Sequence, residues 1–88
     1  MGSTTPVVVN AWATEYGKVV VEGSDGVRYH ADLSSLSSVY CYPESATAWQ
    51  KVSVDTYGLA LVWPTRFEVH VDQVVGLAYK QEPIVETA

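Results

Sequence analysis

Three valine- and aromatic-rich segments open the chain: Val7-Val8-Val9-Asn10-Ala11-Trp12-Ala13, Lys18-Val19-Val20-Val21-Glu22 and Val27-Arg28-Tyr29-His30-Ala31. Their length and β-branched content predict strands. The connectors Thr14-Glu15-Tyr16-Gly17 and Gly23-Ser24-Asp25-Gly26 are polar and close on glycine, and Asp55-Thr56-Tyr57-Gly58 repeats the Tyr-Gly ending later. A glycine in the last turn position suits a left-handed residue closing a hairpin beside a bulge. An antiparallel meander is the local reading.

At Asp32 the period changes. Leu33, Leu36 and Val39/Tyr40 recur at helical spacing behind an aspartate able to cap a first turn. The serines between them have modest helix propensity, so this helix is expected to be short and held by its apolar stripe. Pro43 can open a second helical turn through Trp49. Strand character returns at Lys51-Val52-Ser53-Val54 and Leu59-Ala60-Leu61-Val62-Trp63. Pro64-Thr65 then turns the chain into Arg66-Phe67-Glu68-Val69-His70-Val71. Asp72 reads as the cap of a last turn carrying Val74, Val75 and Leu77. The expected fold is therefore α+β: an antiparallel β-meander of about five to six strands with one or two short helices. Val27–Leu33 and Phe67–Gln73 share alternation, a His-x-Asp step and a following helical signal. Each half reads as a hairpin leading into a short helix, a likeness of topology rather than a proven repeat. Met1-Gly2-Ser3-Thr4-Thr5-Pro6 and the tail opening at Gln81-Glu82-Pro83 carry neither pattern and are expected to fray. The chain reads as one domain over 1–88, with its ordered core at about 7–79.

Composition narrows the class. Of 88 residues, 48% are hydrophobic and 17% charged, which describes a globular chain rather than a disordered one. The net charge is −5, and Lys18, Arg28, Lys51, Arg66 and Lys80 are scattered singly. A direct nucleic-acid partner is not expected, because phosphate contacts require clustered Lys and Arg. The single cysteine excludes an internal disulfide framework and a CxxC motif. Apolar runs fall short of a membrane span and no signal-peptide pattern is present, so the expected setting is cytoplasmic, with no membrane partner.

The sharpest chemical candidates are the two His-x-Asp steps. Residues two apart on a strand face the same side, so His30 with Asp32, or His70 with Asp72, can offer a nitrogen and a carboxylate together. Helix capping by the aspartates and solvent-facing strand positions for the histidines explain the same residues without a metal. That plainer reading is the expectation: no metal site and no cofactor. Cys41 lies between Tyr40 and Tyr42 with no local cation to stabilise a thiolate, and reads as a small buried hydrophobe. GxSxG, Walker, GxGxxG and HExxH patterns do not occur, and no enzymatic activity is expected.

Aromatics point elsewhere. Trp63, beside Pro64 and behind an apolar run, reads as a core plug. By alternation Trp12 shares a strand face with Val8 and Asn10, opposite Val7, Val9, Ala11 and Ala13. A first strand is often an edge strand, and its free main-chain groups invite pairing. A homodimer with Val8, Asn10 and Trp12 at or near the contact is expected, or else a contact with a protein partner.

Val19 to Leu77 carries a further pattern. It comprises Glu22-Gly23-Ser24-Asp25-Gly26-Val27-Arg28 running into Ala31-Asp32-Leu33, then Trp49-Gln50-Lys51-Val52-Ser53-Val54-Asp55. Gly58 to Trp63-Pro64 and Glu68-Val69-His70-Val71-Asp72 complete it. This stretch resembles the family catalogued as domain of unknown function 2442. The resemblance implies a strand-rich α+β fold with a Trp-Pro near the end of the penultimate strand, and no catalytic residue. Some relatives are fused to a helix-turn-helix domain or sit beside another small gene in an antitoxin-like arrangement. The chain departs from the family pattern at Thr65-Arg66 and in a longer insert, Tyr40 to Ala48. The expected function is a small non-enzymatic interaction module that self-associates. The competing readings are a metal- or small-molecule-binding domain using the His-x-Asp pairs, and an accessory partner of a nucleic-acid-associated system.

Overall fold

The valine-rich segments become β1 (Val8–Glu15), β2 (Lys18–Gly23) and β3 (Val27–Asp32), joined by tight turns into an antiparallel meander. The computed structural model describes residues 7–84. After β3 come a 3-10 turn at Ser34–Leu36 and helix α1 (Ala46–Trp49). A second antiparallel meander follows in β4 (Ser53–Val54), β5 (Ala60–Val62) and β6 (Glu68–His70). Helix α2 (Val71–Gly76) and β7 (Ala78–Pro83) complete the chain. The sheets are ordered β1-β2-β3-β7 and β4-β5-β6. The fold is thus α+β, with seven antiparallel strands in two sheets, two short helices and a 3-10 turn.

The three turn glycines Gly17, Gly26 and Gly58 all take positive φ, as the hairpin reading requires. The internal likeness is also real in topology. Each half is a three-stranded meander, and each runs from its last strand into a helical turn.

Local differences have physical causes. Leu33–Tyr40 does not hold a helix: one 3-10 turn forms and further turns follow, because Asp32 Oδ1 accepts the Ser34 amide at 2.9 Å and tightens the start. The helix placed from Pro43 begins later, at Ala46, where Ser45 Oγ accepts the Ala48 amide at 3.1 Å. Asp72 is not the cap of α2. His70 holds that position, and Asp72 sits in the first turn, where a carboxylate complements the helix dipole.

Gln81-Glu82-Pro83 is not the start of a tail but the end of β7, hydrogen-bonded along β3. The segment lacks apolar alternation because its pairing is specified by charge: Glu82 stands opposite Arg28. The ordered chain accordingly extends past position 79.

Trp12 does not share a face with Val8. The register of β1 on β2 steps between Val8/Gly23 and Asn10/Glu22, leaving Val9 as the extra residue of a bulge. Val8 therefore faces the core with Ala11 and Ala13, while Trp12 faces outward. A second irregularity lies between Ala13 and Glu15.

The core fills the space between the sheets. Val19, Val21, Tyr29 and Ala31 come from the larger sheet, Leu61 and Val69 from the smaller, and Leu33, Phe67 and Val74 close the ends. Trp49 and Trp63 stack at 4.7 Å between ring centroids. Trp63 is the buried plug expected of it, and its Nε1 donates to the Trp49 carbonyl at 2.8 Å. Trp49 in turn donates from Nε1 to the Lys18 carbonyl at 3.0 Å, joining the sheets through both of its ends. Among the described residues no helix is long and apolar enough to cross a membrane.

Candidate functional site

Register builds the outer face of the larger sheet in rungs. Asn10, Glu22, Arg28 and Glu82 stand opposite one another across all four strands, as do Trp12, Val20, His30 and Lys80. In the first rung Arg28 Nη2 lies 2.8 Å from Glu22 and Nη1 lies 3.3 Å from Glu82. Glu82 Oε1 also lies 2.7 Å from His30 Nε2. His30 first, and Arg28 second, hold the Glu82 carboxyl below its usual range.

In the second rung Val20 is buried although it faces away from the core. It stands between Trp12 and His30, and on the same face Arg28 lies over the Trp12 ring at 6.0 Å and Lys18 over the Tyr79 ring at 5.7 Å. Each cation on this face has a carboxylate beside it, so the face presents a neutralised lattice rather than a basic stripe.

The edge of β1 is partly closed from within. Ser24 N–H donates to the Val7 carbonyl and Leu33 N–H to the Gly17 carbonyl, so even-numbered β2 residues face β1 and odd-numbered ones face β3. Trp12 and Asn10, opposite Val20 and Glu22, turn their main chain inward; Ala11 and Ala13 turn theirs outward. Val8 N–H is taken by the Gly58 carbonyl at 2.7 Å. Ala11 N–H is taken by Asn10 Oδ1 at 3.0 Å. Beyond these, Val9 and Trp12 remain exposed beside the edge.

The His-x-Asp residues do not converge. His30 and Asp32 lie on the outer face of the larger sheet, where Asp32 binds Ser34; its hydroxyl and amide hold that carboxyl below its usual range. His70 and Asp72 lie across the core at the junction of β6 and α2, both exposed, with Asp72 Oδ1 accepting the Gln73 amide. No cluster of three or more His, Cys, Asp or Glu side chains suited to a metal occurs among the described residues.

A cleft of about 860 Å³ lies where the β1–β2 turn, the 37–45 loop and the β5–β6 turn meet. Its walls include Tyr16, Val39, Tyr40 and Tyr42, with Cys41, Glu44 and Thr65 beside them. Cys41 is half-buried there, not fully buried as its neighbours suggested, and takes φ 69°. Thr65 Oγ1 donates to its carbonyl at 2.7 Å, and Tyr16 Oη donates to the Pro43 carbonyl at 2.6 Å. These long-range bonds hold the loop in place. Sequence reasoning had no route to this cleft, because its parts are separated along the chain and meet only through the two meanders.

No family model, curated protein or solved structure matches the chain.

Proposed function

We propose that this chain is a small non-enzymatic protein-interaction module that self-associates as a homodimer through β1. The observation that supports the reading is the outward edge of β1 between its two irregularities, where Ala11 and Ala13 direct main-chain groups away from β2 and Trp12 stays exposed beside them. A second copy laid antiparallel along this edge sets Ala11 of each chain opposite Ala13 of the other, and the two Trp12 rings meet at the twofold axis. Asn10 gives up its bond to Ala11 N–H and a main-chain carbonyl replaces it. The contact residues are then Val9, Asn10 and Trp12, with Val8 supporting them from the core. Affiliation with family 2442 belongs to the same proposal and rests on the hairpin and Trp63-Pro64 motifs.

Sedimentation equilibrium at micromolar concentration tests the reading. The wild type is expected at the mass of a dimer, and Trp12→Glu, which sets two like charges on the axis, at that of a folded monomer. A monomer mass for the wild type, unchanged in Trp12→Glu, rejects the proposal.

A further inference from the structure

The cleft formed by the 37–45 loop stands apart from the β1 edge, and its chemistry is different. We infer that it is a docking groove for an extended, proline-rich peptide segment that carries a basic residue.

The walls supply the first argument. Tyr40 is 90% exposed and Val39 46%. Tyr16, half exposed, packs edge to face on the buried Tyr42 at 6.1 Å and adds a second aromatic ring to the cleft wall. Tyr42 lies behind them, mostly buried, and burial raises its hydroxyl pKa. The exposed rings of Tyr40 and Tyr16 match a polyproline II chain, whose pyrrolidine rings stack on aromatic surfaces.

Preorganisation is the second argument. The bonds from Thr65 to Cys41 and from Tyr16 to Pro43 fix the loop, and Cys41 and Arg66 hold left-handed backbone on either side of the first bond. Such backbone is costly for residues other than glycine and persists where the surroundings enforce it. A rigid groove and a stiff ligand both lose little entropy on binding.

Charge selects the third feature. Glu44 is the charged residue lining the cleft, on a chain of net charge −5, so a Lys or Arg beside the prolines is favoured over an acidic neighbour. The inference does not depend on dimer formation, since none of Val9, Asn10 and Trp12 lines the cleft.

Amide chemical-shift mapping of the full chain tests it with a capped oligoproline peptide ending in arginine, the same peptide ending in glutamate, and tetramethylammonium chloride. Shifts confined to Tyr16, residues 37–45, Ala48 and Thr65 are expected with the arginine peptide. Tyr40→Ala, at a fully solvated side chain, is expected to weaken binding about fivefold, the worth of one aromatic contact. Glu44→Gln is expected to abolish the preference for arginine over glutamate while the prolines still bind. Absence of shifts at millimolar peptide, shifts centred on another surface, or indifference to Tyr40→Ala overturns the inference. An equal response to tetramethylammonium reassigns the cleft to a simple cation and overturns it as well.

Discussion

Gly58 shows how far one residue can constrain this fold. It takes φ +70°, and a Cβ there would stand 2.6 Å from the Val8 carbonyl oxygen, because the β4–β5 turn presses against the start of β1. Gly26 has a similar φ of +78°, but a Cβ there would meet nothing within 4 Å. Replacing each by alanine separates the two costs. Gly26→Ala is expected to lose about 1–2 kcal/mol, the left-handed penalty alone. Gly58→Ala should lose clearly more, about 3 kcal/mol or above, since backbone must shift as well. Urea denaturation of both variants checks this, and equal losses would show that the close approach is absent. Tyr29 makes a second residue-scale case. Its hydroxyl donates to Asp25 Oδ2 at 2.5 Å, and that bond, with burial, pushes its pKa up to about 12. A raised pKa in the folded state means this contribution is whole below the ordinary tyrosine value near 10 and is lost as pH rises towards 12. Asp25→Asn should flatten the fall in stability across that window in alkaline titrations followed by tyrosine absorbance; an unchanged slope would reject the linkage.

At the scale of elements, β7 depends on partners that its own sequence does not announce. Glu82 meets Arg28 and His30 across the sheet, and its carboxyl is held below the usual range. A depressed carboxylate stabilises the folded state above its unfolded pKa, near 4.5, and the contribution disappears as pH falls through the lower folded value. The contacts are open to solvent, so the effect should be local to β7 rather than global. Protection of the Ala78–Glu82 amides, taken relative to their intrinsic exchange rates, is expected to fall below about pH 4.5 in the wild type, and Glu82→Gln should show the lower protection already at neutral pH. Equal protection of these amides in both proteins at neutral pH would remove the ion pairs from the account of this strand. Val20, an apolar residue on the outer face, is likewise buried through its neighbours on other strands, between Trp12 of β1 and His30 of β3.

Across the whole molecule, Trp49 is the joint between the sheets. It is fully buried, its indole nitrogen binds the Lys18 carbonyl, and its own carbonyl accepts the Trp63 indole. Trp49→Ala and Trp63→Ala are each expected to cost about 3–5 kcal/mol, which for a domain of this size approaches its total stability. Thermal melting decides it, and a variant melting within a few degrees of wild type would not be missing the joint. Composition made the strands legible: β-branched and aromatic runs marked β1 to β6, alternation added to β3 and β6, glycine-closed connectors marked three of the turns, and Trp63 was recognisable as core. Those features were readable because side-chain period, turn chemistry and burial are local properties of neighbouring residues. The facing of Trp12 was not, since one bulge residue at Val9 exchanges the two faces of the strand before it. Nor was β7, whose place is fixed by Arg28 and His30 far earlier in the chain. Division into two sheets, Trp49 as their joint and the tyrosine cleft likewise exist only after distant segments have packed, because they consist of contacts between residues with no relation along the sequence.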